Sequence, residues 1–589
     1  MSWKRTSTGR RSASGRPLPR AAARLFPAPG ASNDPLSRWI APALLIGMVA
    51  GLGAVALFGL LHLCTGLLLE HVAGFRPYLT SAEGGPRDLV PSERPWAVPL
   101  VAAGGALLAT AFAVWLAPEA RGHGTDAAIA AAHHDPTGMR GRVTVVKLVA
   151  SALTIGSGGS GGTEGPAAQI SAAFGSVIAR RTGMSREQAR TALVIGLASG
   201  VGAIFQAPLG GALLGAELLY RKDMDVRVLP KALLAACAGW LVFGAVYGFA
   251  PVLGRHTADG PGFGAGDFVL IAVTGVLCGL AGRLYTTTFY AVHLRAEARV
   301  RSVPARIAAP VAGALIVGVL GLLVPGVLGT GYGLMEALTD RDLVAGLPVL
   351  LLLAIPLAKI AGTALTVGSG GSGGIFGPCM VVGAGTGALA WRLGEALHLP
   401  SAGPLPYVVV GMAACLGPVA NAPLGVLVMA TEMVADASLL GPGMLAVLCA
   451  SAVTGRTTLY RSQLESRKDD ETPENRPGTT PFLDLERDLD LERERDLERD
   501  LDLHLGLDPA RNPATAAAPS PTPTPTPTPF SSPSQSPSPS PSQSPSPSPS
   551  QPPSPSSDEE PRPSPDPKPG PAVPPMAQPS PSAPACASD

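Results

Sequence analysis

The sequence predicts an all-α, polytopic membrane protein made of two related halves with discontinuous helices. Three observations carry this prediction. Between about residues 39 and 460 the chain consists of long uncharged apolar runs, several of them longer than the roughly 20 residues that cross a bilayer. These runs lack the period-two alternation of barrel strands, and helices are the other structure that satisfies its own backbone in lipid. A glycine-rich loop also occurs twice, at matching positions.

The apolar runs dominate a chain of 589 residues that is 46% hydrophobic and 15% charged. Several runs are long enough to hold two broken segments rather than one straight helix. The net charge of +1 is uninformative, and no nucleic-acid partner, metal or cofactor is expected. The runs that suggest membrane segments are Trp39–Leu69, Trp96–Pro118, Thr191–Ala216, Ile307–Met335 and Ile360–Trp391.

The two ends of the chain differ from its apolar middle. Residues 1–37 are basic, with seven Lys and Arg and no acid before Phe26, which predicts a cytoplasmic N-terminus by the positive-inside bias. Residues 465–508 read as a charged, partly helical linker. Residues 509–589 form a Pro/Ser-rich tail that cannot bury a core and is expected to be disordered.

An internal repeat organises the middle of the chain. Lys147–Pro166 and Lys359–Pro378 agree at 13 of 20 positions, including the whole of the loop GSGGSGG. Ala-Pro-Leu elements follow each loop, at Ala207–Leu209 and Ala422–Leu424, and each leads to a glutamate. The repeat predicts two halves, residues 38–222 and 223–464. In transporters such halves are often inverted, with the site at their interface.

The repeated loops predict helix starts aimed at a buried anion. A helix that begins inside the membrane has free N–H groups and a partial positive charge, and an anion satisfies both. Glycine allows close approach and positive φ, and a proline fits the first helical turn. Helices are therefore expected to start near Glu164 and near Ile375–Phe376. Neither loop is flanked by lysine or arginine along the chain, so the site should bind weakly and release its ion.

These residues resemble the chloride channel and transporter (CLC) family. The stretch GTEGP at Gly162–Pro166 is similar to one family signature, and GIFGP at Gly374–Pro378 is similar to another. Gly122–Gly124 and Tyr460 occupy the places of two further family elements. The resemblance covers about Trp39–Leu464. It implies an antiparallel, inverted-repeat fold of about eighteen helices, and a homodimer in the cell membrane with one chloride pathway per subunit and both termini cytoplasmic.

The resemblance also implies roles for single residues. Glu164 would be the gating carboxylate, which competes with the anion when ionised and carries the proton when neutral. Tyr460 would donate from its hydroxyl, and Ile375 and Phe376 would donate from their backbone. The residues that would bind the anion are Gly122, His123, Gly124, Gly165, Ile375, Phe376 and Tyr460.

Three departures from the family pattern bear on mechanism. His123 replaces a serine that donates to the inner anion, and imidazole can donate in its place. Thr163 replaces a basic residue before the gate. Leu218 stands where exchangers often have the second of two adjacent acids, while Glu217 matches the first and offers a possible proton path. The presence of both Glu164 and Tyr460 favours a proton-coupled exchanger, and the missing second acid at Leu218 leaves a passive channel as the alternative.

Other functions fit the residues less well. Ser160 formally matches the G-x-S-x-G pattern of a serine nucleophile, which would indicate an intramembrane hydrolase. The same GGSGG recurs around Ser372, however, and no apolar run after Ser160 offers an obvious base histidine. The chain is therefore not expected to be an enzyme. A cation transporter that uses Glu164 as a ligand conflicts with the two helix starts. The sequence His133–Asp135 is expected to be a solvated turn.

Overall fold

The computed structural model describes residues 36–80, 92–254, 263–299, 302–400 and 402–470. Within these residues the chain is helical, with isolated β-bridges and no strands. The predicted all-α fold is therefore confirmed. The basic N-terminal segment before Leu36, most of the charged linker and the whole Pro/Ser tail lie outside the described residues.

The first half, residues 38–222, folds into seven α-helices. The first of them continues as a π-helix, Gly66–Val72, and a short 3-10 turn at Pro118–Ala120 precedes the third. These helices are α1 Leu36–Thr65, α2 Ala97–Leu116, α3 Thr125–His134, α4 Gly141–Gly156, α5 Glu164–Thr182, α6 Arg186–Ile204 and α7 Pro208–Glu217.

The second half contributes ten more α-helices, and a four-residue helix follows it. A π-helix, Ala364–Gly368, continues the α-helix that ends at Thr363. Short 3-10 turns occur at Pro325–Val327 and Ala437–Leu439. They are α8 Leu229–Tyr247, α9 Ala265–Arg299, α10 Val303–Leu323, α11 Tyr332–Ala337, α12 Arg341–Gly346, α13 Val349–Thr363, α14 Phe376–Ala396, α15 Leu405–Ala420, α16 Pro423–Glu432, α17 Leu440–Thr454 and α18 Arg467–Asp470.

Seven of the described helical stretches are long and apolar enough to cross a membrane, which makes this a multi-pass membrane protein. Other apolar runs are broken, as their length suggested. Thr191–Ala216 is one such run: α6 ends at Ile204 and α7 begins at Pro208, and Gln206 between them has a left-handed φ of 53°. Proline at the first helical position restarts the chain without losing a backbone hydrogen bond.

The two halves are held together by reciprocal contacts between α7 and α16. The Glu217 carboxylate, at the end of α7, accepts hydrogen bonds from the amides of Leu424 and Gly425, 3.4 and 2.7 Å away. Glu432, at the end of α16, accepts in the same way from Leu209 and Gly210, at 3.2 and 2.6 Å. Each glutamate thus satisfies the free amides at the start of the opposite helix. This agrees with a structural role for both glutamates.

The expectation of a solvated turn at His133–Asp135 is wrong. His133 and His134 are the last two residues of α3, and His133 is buried, with its ring Nε2 3.0 Å from the carbonyl oxygen of Leu219. His133 shares the buried side of α3 with the apolar residues Ala128, Ile129 and Ala132, and this side of the helix faces the core.

Candidate functional site

The two glycine loops meet at the interface between the halves. Gly162 and Gly374 form an antiparallel pair in which each amide donates to the other carbonyl, at 2.9 and 2.7 Å. Gly158 and Gly370 adopt nearly the same positive φ, 106° and 108°. The helices that follow the loops begin at Glu164 and Phe376, so the predicted helix starts are confirmed.

Buried hydroxyl groups repeat the same symmetry on either side of the loops. The Ser151 and Ser372 hydroxyl oxygens lie 2.9 Å apart, and those of Ser160 and Thr363 lie 3.1 Å apart. Ser160 therefore shares its hydrogen bond with a threonine rather than with a histidine. This geometry gives no support to a serine nucleophile, since a nucleophile needs a base within reach.

Glu164 lies at the centre of this interface. Its side chain is 1% exposed, and neither carboxylate oxygen has a hydrogen-bond partner of standard geometry among the described residues. The amides of Thr163 and Gly377 lie close to the carboxylate, as does the ammonium charge of Lys359. A Cβ atom on Gly377 would lie 2.3 Å from Glu164 Oε1, and one on Gly162 would lie 2.1 Å from Oε2. Only glycine leaves room for the carboxylate at these positions.

The loop Gly122–Gly124 lies against the start of α5. Gly122 and Gly124 have positive φ, 69° and 85°, and α3 begins at the next residue. A Cβ atom on Gly165 would lie 2.1 Å from the carbonyl oxygen of His123, so the two backbones are in close contact. The His123 ring centroid is 5.9 Å from that of Tyr460, and His123 Nδ1 is buried without a hydrogen-bond partner.

Tyr460 is fully buried, and its hydroxyl also has no partner of standard geometry among the described residues. Its backbone is fixed by its neighbour: the Leu459 amide donates to Val419 at 2.7 Å, and the Tyr290 hydroxyl donates to the Leu459 carbonyl at 2.8 Å. The rigid backbone leaves the hydroxyl available to a ligand. We use the name gate cluster for Glu164, His123 and Tyr460, whose buried polar atoms have no hydrogen-bond partner of standard geometry within the described ranges.

Ile375 and Phe376 complete the surroundings of the gate cluster. Both are buried, at the start of α14, and the Tyr285 hydroxyl donates to the Ile375 carbonyl at 2.7 Å. Tyr285 and Tyr460 both lie close enough to Glu164 to interact electrostatically with its carboxylate. The structure thus brings together all the residues that the sequence assigned to the anion and its gate. Glu217 is not among them, because its carboxylate binds the start of α16.

Two buried lysines hold the loops in place. Lys147 Nζ donates to the carbonyls of Ala120 and Gly122 at 3.2 and 2.6 Å. Lys359 Nζ donates to the equivalent carbonyls of Val327 and Gly329 at 3.2 and 2.9 Å. The two lysines occupy matching positions in the internal repeat, and their hydrogen bonds match as well.

The expectation that no cationic side chain lies beside either loop fails in three dimensions. A Cβ atom on Gly370 would lie 2.3 Å from an Arg121 guanidinium nitrogen, so this side chain packs against the second loop. The positive charge of Lys359 also interacts electrostatically with the Glu164 carboxylate beside the first loop. Sequence separation hid both contacts, because each cation comes from a different element than the loop it faces.

Tyr332 is a site residue that the sequence reading missed. It begins α11, directly after Gly329–Gly331, and its hydroxyl lies 3.1 Å from Thr163 Oγ1. Gly329 and Gly331 have φ of 62° and 86°, close to the values of Gly122 and Gly124. The available signal was the spacing G-x-G before a short helix, which occurs once in each half.

The fold and the site together define a helical membrane protein in which two glycine loops meet at the interface between two related halves. Comparison with known proteins gives the family. The model of the family described as "Voltage gated chloride channel" matches residues 104–455, and the chain belongs to this family. Members of the family are channels or transporters, so the protein is not an enzyme.

Similar proteins and solved structures are consistent with this family. The voltage-gated ClC-type chloride channel ClcB of Shigella flexneri is 32% identical over 325 residues, which is 54% of this chain and 74% of that protein. An uncharacterized protein of Methanocaldococcus jannaschii is 30% identical over 320 residues, 54% of this chain and 75% of its own. A slow cyanobacterial Cl−/H+ antiporter has a similar fold, with a TM-score of 0.59, 21% identity and coverage of 72% of this chain and 95% of its own. A CLC-type fluoride/proton antiporter gives a TM-score of 0.59, 19% identity and coverage of 73% and 98%.

Proposed function

We propose that this protein carries chloride or a similar small anion across the membrane through the gate cluster, with Glu164 as its gate. The observation that carries the proposal is the convergence of two helix starts on three buried polar groups that have no hydrogen-bond partner of standard geometry among the described residues. Buried polar groups are normally paired, so unpaired ones at one place favour a mobile ligand. His123 Nδ1 and the Tyr460 hydroxyl can each donate a hydrogen bond to an anion.

Glu164 would gate this path by competition. When ionised, its carboxylate occupies a place between the glycine loops that an anion would otherwise take. When protonated, it loses its charge, and with it the attraction of the helix starts and of Lys359. The side chain can then leave and open the path. Acidification should therefore increase anion flux.

We propose further that transport is coupled to protons, as chloride/proton antiport with Glu164 as the proton carrier. The antiporters named above have a similar fold, and Glu164 and Tyr460, the proposed gate and anion donor, are both buried. Coupling needs a route for protons from the other side of the membrane to Glu164. Glu217 is a possible member of that route, although both its oxygens bind backbone amides.

A passive chloride channel is the second candidate, and one observation favours it. Leu218, at the position of the second acid of exchangers, is 1% exposed and belongs to the same apolar core as Ile129. An apolar residue there can neither accept nor release a proton. The ClcB relatives named as chloride channels are consistent with this alternative.

We expect the protein to act as a homodimer in the cell membrane, with one pathway per subunit and both termini in the cytoplasm. Large apolar side chains remain exposed on α8 and α17, such as Leu241 and Leu448, and these would contact lipid or a second copy. Cross-linking in native membranes and accessibility labelling of the two termini test the assembly and the orientation.

Paired flux measurements test the proposed function. The purified protein is placed in liposomes with a chloride gradient, and chloride and proton movement are recorded together. Fast chloride movement that carries net charge supports anion transport, and comparable potassium or sodium movement contradicts it. Uphill proton movement driven by chloride supports antiport, whereas chloride movement without it supports the channel.

A further inference from the structure

Tyr332 places a third tyrosine hydroxyl near Glu164, in addition to those of Tyr285 and Tyr460. A Cβ atom on Gly377 would lie 2.8 Å from the Tyr332 hydroxyl oxygen and 2.3 Å from Glu164 Oε1, so these two oxygens lie no more than about 5 Å apart. The described ionisable groups that face Glu164 are therefore Lys359 of α13, Tyr285 of α9, Tyr332 of α11 and Tyr460.

The Tyr332 hydroxyl bonds to Thr163, which directly precedes the gate. The two hydroxyl oxygens are 3.1 Å apart, and both side chains are buried, at 6% and 1% exposure. Thr163 is the residue from which α5 starts, so this hydrogen bond joins the start of α5 to α11 across the interface of the halves. It is the side-chain hydrogen bond that lies nearest to Glu164 along the chain.

The remainder of Tyr332 is held firmly. Its ring packs against Phe205, with centroids 5.9 Å apart, and Phe205 also packs against Phe376 at 5.8 Å. The loop before it is anchored because the Gly329 carbonyl accepts from Lys359 Nζ and from the Gly161 amide, at 2.9 and 3.3 Å. The hydroxyl is thus presented to Thr163 by a rigid support, and Thr163 is the partner that can move with the gate.

We propose that Tyr332 is a positioning residue for the gate: its hydrogen bond to Thr163 holds the start of α5 so that the Glu164 carboxylate stays between the two glycine loops. The inference rests on the proposed function of Glu164 as a gate. The bond stabilises the closed arrangement and must break when Glu164 leaves. Removal of the bond therefore makes opening easier without touching the carboxylate.

The test uses two substitutions that each remove one hydroxyl and keep the shape. Tyr332→Phe keeps the ring packing on Phe205, and Thr163→Val keeps the branched side chain. Each should raise chloride flux at neutral pH by about two- to tenfold, the range expected for the loss of one neutral hydrogen bond. Each should also move the acid activation of flux to higher pH. Thr163→Ser, which keeps the hydroxyl, should retain the wild-type profile.

Two comparisons make the test specific. The double variant should match the single variants, because all three lack the same bond. In a Glu164→Gln background, Tyr332→Phe should leave flux unchanged, since no titratable gate remains to be held. Tyr407→Phe is the matched control: it also removes one buried tyrosine hydrogen bond, to Asp267 Oδ1 at 2.7 Å, and should leave the pH profile unchanged.

Several outcomes would overturn the proposal. These are an unchanged pH profile in folded Thr163→Val, additive effects of the two substitutions, or an equal effect of Tyr332→Phe in the Glu164→Gln background. Thermal unfolding checks that each variant is folded. If Tyr332→Phe does not fold, Thr163→Val still tests the proposal, because it removes the same hydrogen bond. Absence of anion flux in the wild type, or a wild-type pH profile in Glu164→Gln, would instead refute the proposed function.

Discussion

Replacement of Glu164 by glutamine removes the proposed gate charge with almost no change of shape. Glutamine has nearly the same size as glutamate, so it fits the space that Gly162 and Gly377 leave for the side chain. It remains neutral at every pH. We therefore expect chloride flux that is high at neutral pH and independent of external pH, whereas wild-type flux should rise on acidification.

The size of the wild-type effect follows from the site. Glu164 is the single carboxylate in the gate cluster, and the described groups that face it are a lysine and tyrosines. One proton therefore opens the gate, and flux should change by at most about tenfold per pH unit over the titration range. The glutamine variant should change by less than about twofold over the same range, because the one carboxylate that titrates at the gate has been removed.

The assay is chloride efflux from proteoliposomes at a series of external pH values, with the membrane potential clamped. Glu432→Gln is the matched control, since it neutralises a different, partly buried carboxylate that binds the start of α7 rather than the anion path. The control should lose some thermal stability and keep the acid activation. A Glu164→Gln protein that retains the wild-type pH slope would show that another group is the gate.

Three further outcomes are expected. Tyr460→Phe should weaken chloride binding by about two- to tenfold with a smaller loss of thermal stability, because the hydroxyl has no hydrogen-bond partner of standard geometry among the described residues. Equal losses of stability and binding would contradict this. Gly210→Ala should lower the free energy of unfolding by about 1–3 kcal/mol, since its Cβ would lie 2.5 Å from the Met429 Cα. Gly104→Ala should be neutral or slightly stabilising, because no atom lies within 4 Å of the added Cβ. Chemical denaturation of both variants tests this difference. A chain that ends after Lys468 should keep its flux per protein, and loss of flux from a monodisperse, folded sample would give the tail a direct role.

The sequence predicted the parts of this structure that depend on local chemistry. Glycine and proline have such restricted or unusual backbone preferences that the helix starts at Glu164 and Phe376 could be located to within a residue. The internal repeat then predicted that the two loops would meet, and the antiparallel pair at Gly162 and Gly374 is that contact. The repeat also predicted a glutamate after each Ala-Pro-Leu element, and these are the glutamates that end α7 and α16.

Contacts between distant side chains could not be predicted in this way. The hydrogen bond of Tyr332 to Thr163 spans 169 residues, and nothing near either residue indicates its partner. Arg121 reaches Gly370 only because the loop before α3 packs on the opposite half. His133 was misread because a histidine pair beside an aspartate is typical of a turn, whereas the apolar face of α3 turns this histidine into the core.

Simultaneous measurement of chloride and proton movement tests the central claim most directly. Liposomes that contain the wild-type protein are given an outward or inward chloride gradient and no proton gradient. The proposed mechanism predicts chloride movement with uphill proton counter-movement, and it predicts that Glu164→Ala abolishes the proton component while chloride still moves. Free chloride movement without protons in the wild type would contradict antiport and favour the channel, and proton pumping by Glu164→Ala would contradict the assignment of Glu164 as the gate.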